Sequence, residues 1–239
     1  MRSDRATARV VGVLFIVGTV AGGLGLALSQ PLVDASNYLT KLSLHEGRVA
    51  TGALLTLIMG VALVGVSIVI YPVLRRHSER LALGYVVART VESVFYVIDA
   101  VLLLTLLTVS RGLVDAGAPD ASVFQALGDS VLGARDWAGN AVLDLTAFGL
   151  SALILNYALY GARLVPRWLS VWGLAGAVLY MTAAAMVLYG LEPLSTTQVV
   201  LDAPLGLQEM ALAIWLIVKG FNAPAAVAAP DAEMVAARV

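Results

Sequence analysis

Long apolar segments alternate with short polar segments along the whole chain. Six of the apolar segments approach or exceed the length of about 20 residues that crosses a bilayer core of about 30 Å as a helix. They cover residues 10–28, 49–71, 81–109, 138–160, 168–189 and 201–218. The pattern therefore predicts an all-α protein, a polytopic membrane bundle of six transmembrane helices in a single domain over residues 1–221.

The polar segment between the third and fourth spans contains a helical pattern of its own. After Pro119-Asp120, apolar residues recur at helical spacing, at Val123, Phe124, Leu127, Val131 and Leu132. This pattern predicts a short interfacial helix that lies on the outer surface of the bundle. Residues 222–239 are rich in Ala, Pro and Val, a composition that predicts a disordered cytoplasmic tail.

Basic residues predict the orientation of the bundle. If the spans alternate in direction, one set of loops and ends carries ten Lys and Arg residues and the other set carries four, with Arg89 inside the third span. Because basic loops stay on the cytoplasmic side, both termini are predicted to be cytoplasmic. We interpret the first apolar segment as a retained span, since it is longer than the apolar part of a cleaved leader.

Composition narrows the classes of function. Of 239 residues, 60% are hydrophobic and 13% are charged, whereas about a quarter of an ordinary soluble domain is charged. The net charge of −1 favours no nucleic-acid partner, and the lipid bilayer is the expected surrounding. The chain has no Cys and two His, which excludes disulfides and thiolate metal sites, so we expect no metal ion and no cofactor.

Several polar side chains lie inside the predicted spans. On the third span, Arg89, Glu92, Tyr96 and Asp99 share one helical face. An ionised side chain at the bilayer centre costs about 2.5–3.5 kcal/mol, so these residues are expected to face the bundle interior. The candidate ligand- or proton-binding residues are Glu92, Asp99, Asp144, Glu209, Arg89, Tyr96, Asn140 and Gln208. No residue is assigned a catalytic role.

Four stretches of the chain resemble a bacterial membrane family known as domain of unknown function 4386. They read ARVVGVLFIVGTVAGG in the first span, LALGYVVARTVES in the third, LVPRWLSVWGLAGAV entering the fifth and LQEMALAIWLIVKGF in the sixth. The positions associated with this pattern are Arg89, Glu92, Pro166, Trp168 and Glu209. The resemblance implies a multi-pass protein of the bacterial inner membrane and brings no established activity.

Three functions remain open. The excess of buried acid over base favours proton-linked binding or transport of a small cationic or amphiphilic molecule. Six spans without an inverted repeat are few for a carrier, so this hypothesis implies a homodimer. The first alternative is an intramembrane acid/base enzyme that acts on a prenyl or lipid substrate. The second is a non-catalytic membrane component whose polar residues set the helix register. We favour the first hypothesis, and therefore a role other than catalysis.

Overall fold

The computed structural model describes residues 2–116 and 121–222, and these residues form helices joined by short turns. The helices are α1 (Arg2–Val33), α2 (Tyr38–Leu44), α3 (Glu46–Arg75), α4 (Glu79–Ala116), α5 (Ala121–Asp136), a π-helical segment (Trp137–Phe148), α6 (Gly149–Gly161), α7 (Arg167–Leu188) and α8 (Thr196–Val218). The segments from α5 to α6 form one continuous helix.

Six of the described helices are long and apolar enough to cross a membrane. They are α1, α3, α4, the continuous helix from α5 to α6, α7 and α8. The predicted six-span, all-α membrane architecture is therefore confirmed, and the chain is a multi-pass membrane protein. The cytoplasmic side of the termini stays a prediction, and residues 223–239 of the predicted tail lie outside the described part of the chain.

Helix α4 is the central helix of the bundle. It contacts α2, α3, α5, the π-helical segment and α6, while α1 packs on α3 and α8, and α7 packs on α6 and α8. Small residues permit the close contact of α1 with α3, because a Cβ atom at Gly18 would lie 3.1 Å from Leu63 and one at Gly25 would lie 3.1 Å from the Gly52 carbonyl oxygen. A residue in the middle of α4 is thus surrounded by protein on several sides.

Two large apolar clusters occupy the two ends of the bundle. The first includes Phe15, Tyr85 and Leu216, and the second, beside α2, includes Leu39 and Leu103. We call the second end the α2 end; it is the end predicted to face outside. The polar residues of α4 lie between the two clusters, which places them away from both ends of the helix.

The helix predicted between the third and fourth spans is present, but it is not a separate surface helix. It is α5, and it continues into the fourth span, so this span begins well before residue 138. No Pro interrupts residues 121–161, so the helical hydrogen bonding is not broken there. Phe124, Val131 and Leu132 pack against the α2-end cluster, whereas Val123 and Leu127 are exposed. The predicted start at Pro119-Asp120 lies outside the described residues.

A short helix, α2, closes this end of the bundle and was not predicted. Its Tyr38 is buried and donates a hydrogen bond to Asp129 Oδ1 of α5 at 2.7 Å. Burial, together with the neighbouring Asp129 carboxylate, raises the pKa of the Tyr38 phenol. Ser110 of α4 hydrogen-bonds to the Leu39 carbonyl oxygen. These contacts attach α2 to α4 and α5.

Candidate functional site

Arg89 of α4 is fully buried and binds two carboxylates from different helices. Its Nη1 donates to Glu92 Oε1 at 2.8 Å and to Oε2 at 3.1 Å, and its Nη2 donates to Glu209 Oε1 of α8 at 3.1 Å. Its Nε donates to the Tyr85 hydroxyl at 3.1 Å. We call Tyr85, Arg89, Glu92 and Glu209 the Arg89 cluster. The cluster joins the third and sixth spans near the middle of the bundle.

Aromatic rings surround the guanidinium group of Arg89. Its central carbon lies 5.6 Å from the ring centres of Phe15 and Phe148 and 5.5 Å from that of Tyr85. A cation close to a ring face is attracted by the ring electrons, and this attraction grows when water is excluded. Since arginine is not deprotonated in proteins, the Arg89 side chain keeps its positive charge although it is fully buried.

Glu92 accepts hydrogen bonds from three different side chains besides being fully buried. In addition to Arg89, Tyr96 donates to its Oε1 at 3.0 Å and Ser151 of α6 donates to its Oε2 at 3.1 Å. Residues 89, 92 and 96 come together because offsets of three and seven lie on one face of an α-helix. Both carboxylate oxygens are thus occupied by protein donors.

A cavity of about 290 Å³ lies between the Arg89 cluster and the α2 end. Three carboxylates line it, those of Asp99, Asp136 and Asp144, and we call it the acidic cavity. Arg135 is the cation among its lining residues, and its Nε lies 2.8 Å from Asp99 Oδ1. This contact is an ion pair and not a well-aligned hydrogen bond, because Nε–H has no hydrogen-bond partner. The cavity is therefore richer in acid than in base.

Tyr96 connects the acidic cavity with the Arg89 cluster. Its side chain lines the cavity, and its hydroxyl donates to Glu92. One phenol group thus separates the space that a solute can enter from the buried carboxylate. A tyrosine hydroxyl both donates and accepts hydrogen bonds. Tyr96 is therefore placed to pass a proton, or the electrostatic effect of a bound charge, between the cavity and Glu92.

The π-helical segment forms one wall of the acidic cavity. Asn140 and Asp144 of this segment line the cavity, as does Asp136, the last residue of α5. Segments of π-helix are rare and frequently occur at functional sites. Tyr180 of α7 lies on the same wall and interacts with the Asp144 carboxylate. The sequence pattern of the fourth span did not predict this local geometry.

Gln208 lies apart from the other predicted site residues. It is fully buried, and its Nε2 donates to Asn156 Oδ1 of α6 at 3.0 Å and to the Leu169 carbonyl oxygen of α7 at 3.2 Å. Consecutive helical residues point about 100° apart, so Gln208 and its neighbour Glu209 face different parts of the bundle. The structure thus divides the eight predicted residues into the buried cluster, the cavity wall and a separate contact between helices.

Six of the functional side chains were missed by the sequence reasoning. They are Tyr85, Arg135, Asp136, Ser151, Tyr180 and Asp202. Tyr85 precedes Arg89 by four residues and Asp202 lies inside the predicted sixth span, so both were detectable from spacing alone. Arg135 was assigned to an outer loop and counted only for topology. Asp202 lies near Asp144, and its Oδ1 is buried without a hydrogen-bond partner.

The part of the chain that the structure describes contains no set of residues arranged as metal ligands. Within residues 2–116 and 121–222, no three His, Cys, Asp or Glu side chains are grouped so that they would hold a metal ion. Glu46, at the start of the second span, instead pairs with Arg111 at 2.7 Å. The site therefore consists of the Arg89 cluster and the acidic cavity.

Comparison with known proteins places the chain in a family without assigning an activity. Curated proteins and solved structures give no match. A family model described as Domain of unknown function (DUF4386) matches residues 10–220, which include all the residues of the Arg89 cluster and the acidic cavity. This match covers nearly the whole described chain and agrees with the resemblance seen in the four sequence stretches. The chain belongs to the DUF4386 family of unknown function.

Proposed function

We propose that this protein binds a small cationic or amphiphilic molecule in the acidic cavity and exchanges a proton as it does so. The observation that carries the proposal is a cavity whose lining has three carboxylates and one guanidinium. A solute of about 290 Å³ or less with a positive charge complements this lining. Transport of the molecule across the inner membrane is an extension of this function, and because six spans are few for a carrier, transport implies a homodimer.

Charge within the cavity supports a cation as the ligand. Asp99 is already paired with Arg135, so the carboxyl groups of Asp136 and Asp144 exceed the basic groups of the lining and balance the charge of a bound cation when they are ionised. A unit charge about 4 Å from a carboxylate gains about 4 kcal/mol at an effective dielectric constant of about 20. This energy is enough to select a cation over a neutral molecule of the same shape.

The Arg89 cluster supports the proton link. It contains two carboxylates, those of Glu92 and Glu209, and one guanidinium. A buried group with excess negative charge is neutralised most simply by a proton. A cation that enters the cavity beside Tyr96 neutralises part of this negative charge in place of the proton. Its binding therefore favours release of the proton. Binding of the cation and release of the proton are coupled in this arrangement.

Catalysis is less well supported by the same geometry. A general acid must reach the reacting atom of its substrate within hydrogen-bond distance. Both oxygens of Glu92 already accept protein hydrogen bonds, from Arg89, Tyr96 and Ser151. The contacts of Gln208 between helices are those expected of a non-catalytic component whose polar residues set the helix register. Such contacts do not explain the acidic cavity.

The binding test uses purified protein in lipid nanodiscs with tetraethylammonium and n-butylammonium ions. We expect measurable binding by calorimetry, with a proton released to a weakly buffered indicator dye. Asp144→Asn is expected to weaken binding at least tenfold, because it removes one carboxylate from the lining. Tyr96→Phe is expected to reduce proton release while it changes the affinity less than threefold. Absence of binding for both ions, or binding without proton exchange, would contradict the proposal.

Glycine substitutions provide a steric test with a matched control. Gly23 lines the acidic cavity, and a Cβ atom added there meets no atom within 4 Å. Gly23→Leu is therefore expected to place its side chain in the cavity and to weaken binding strongly. Gly206 is equally open but is exposed on α8, away from the cavity lining, so Gly206→Leu is expected to bind normally. Equal binding by the two variants would place the ligand elsewhere.

A further inference from the structure

A second cavity, of about 310 Å³, lies beside the acidic cavity. It is formed where α5 meets the π-helical segment and where α7 meets the loop before α8. Most of its lining is apolar or lacks a side chain, as at Gly133, Trp137, Val187, Leu191 and Pro193, and its two carboxylates are those of Asp136 and Glu192. Its character therefore differs from that of the acidic cavity.

The two cavities share a wall. Asp136 lines both of them, and Pro193 of the second cavity is followed directly by Leu194, which lines the acidic cavity. An acidic space and an apolar space thus lie side by side, with one carboxylate at the boundary. A molecule with a positive head and a hydrocarbon tail is complementary to this arrangement, with the head matching the acidic space and the tail matching the apolar space.

The boundary between the cavities is held in a defined conformation. Leu194 has a positive φ of 56°, which is uncommon for a residue with a side chain. Its N–H donates to Gln198 Oε1 at 2.7 Å, and Gln198 is buried. This hydrogen bond offsets part of the local strain and holds the loop at the boundary between the two cavities.

We infer that the ligand of this protein is a single-chain amphiphilic cation, with its charged head in the acidic cavity and its tail in the second cavity. The inference rests on the proposed function and specifies its substrate class. Water occupies about 30 Å³ per molecule in the liquid, and a methylene group is of similar size, so the second cavity holds roughly ten such groups. This volume suits one alkyl chain and is too small for a lipid with two acyl chains.

The test measures how affinity depends on tail length. Binding of n-alkyltrimethylammonium ions with tails of one to ten carbons is measured by calorimetry in phosphatidylglycerol nanodiscs. Burial of each methylene is expected to tighten binding roughly three- to fourfold until the cavity is full. Empty nanodiscs serve to subtract the partition of longer ions into lipid.

The Gly133→Leu variant tests whether the tail of the ligand lies in the second cavity or in the surrounding lipid. Gly133 lines the second cavity, and a Cβ atom there meets no atom within 4 Å, so the backbone accepts a side chain at this position and a leucine is expected to occupy part of the cavity. This variant is expected to bind tetramethylammonium like the unmodified protein but to lose the dependence on tail length. The control Gly206→Leu is expected to keep it.

The outcomes distinguish this inference from the proposed function. An equal dependence on tail length in Gly133→Leu and the unmodified protein would overturn the inference, since the tail would then lie outside the second cavity. A constant affinity along the series in the unmodified protein would overturn it as well, while binding of short ions and proton release would leave the proposed function intact. Failure of even the short ions to bind would refute both.

Discussion

Replacing Arg89 with Met is the sharpest perturbation of the buried cluster. Methionine keeps much of the apolar volume but removes the donors to Glu92, Glu209 and the Tyr85 hydroxyl. Breaking a buried ion pair by removal of one partner costs about 3–5 kcal/mol, because a charge is left buried without compensation. We expect Arg89→Met to lower the free energy of unfolding by this amount, since two carboxylates then lose their cation.

Equilibrium unfolding in mixed detergent micelles, together with the melting temperature, measures this loss. A loss of about 3–5 kcal/mol corresponds to a fall of roughly 6–20 °C for a chain of this size. The matched control is Arg111→Met. Its ion pair with Glu46 is short, at 2.7 Å, but the Arg111 side chain is 56% exposed, so the expected loss is much smaller than that of Arg89→Met.

A triple variant keeps the reasoning falsifiable. Arg89→Met combined with Glu92→Gln and Glu209→Gln removes the two uncompensated charges along with the cation. It is expected to recover a large part of the lost stability, because neutral amides cost less to bury than carboxylates. The argument fails if the single variant loses less than about 1 kcal/mol, or if the triple variant is no more stable than the single one.

Three further predictions concern the other polar contacts and the topology. Gln208→Leu is expected to cost about 1–3 kcal/mol in unfolding experiments, because it leaves Asn156 Oδ1 without its donor, and to leave cation binding unchanged; altered binding would place Gln208 in the site. Because burial raises the pKa of the Tyr38 phenol, the neutral phenol is expected to stabilise the folded protein fully below about pH 10. This stabilisation is expected to be lost as the pH rises further. Tyr38→Phe should therefore cost about 1 kcal/mol at pH 7 and flatten the stability profile above pH 10; an unchanged profile would contradict this. Since the chain has no Cys, Leu44→Cys and His77→Cys introduce single exposed thiols at opposite ends of the bundle. An impermeant maleimide added outside cells should label position 44 and not position 77, and the reverse would invert the predicted topology.

The number and kind of the spans were predictable from the sequence because they depend on the bilayer. A segment of about 20 apolar residues has to satisfy its own backbone hydrogen bonds in lipid, and a helix does so within the segment. The same physics identified Arg89, Glu92 and Glu209 as residues that face protein. Their cost in lipid is a property of each residue and needs no knowledge of its partners.

Partners between helices required the tertiary structure. Nothing in the spacing of Asp99 assigns it to Arg135, which lies 36 positions away and looks like a loop residue. The interfacial pattern around Phe124 predicted a helix correctly, but the junction with the fourth span depends on how α5 packs against α2 and α4. In the same way, Gln208 and Glu209 are adjacent in sequence and serve different contacts.

By itself, the sequence determined the membrane class, the six spans and the presence of buried charge, because each follows from local composition and helix periodicity, and the resemblance of four sequence stretches indicated the family. Only the tertiary structure decided that the polar residues separate into a dry cluster on Arg89 and an acidic cavity, joined by Tyr96. The physical reason is that a cavity is the space left between helices that are distant in the chain. Its lining depends on packing angles and on the π-helical segment, which no local pattern specifies.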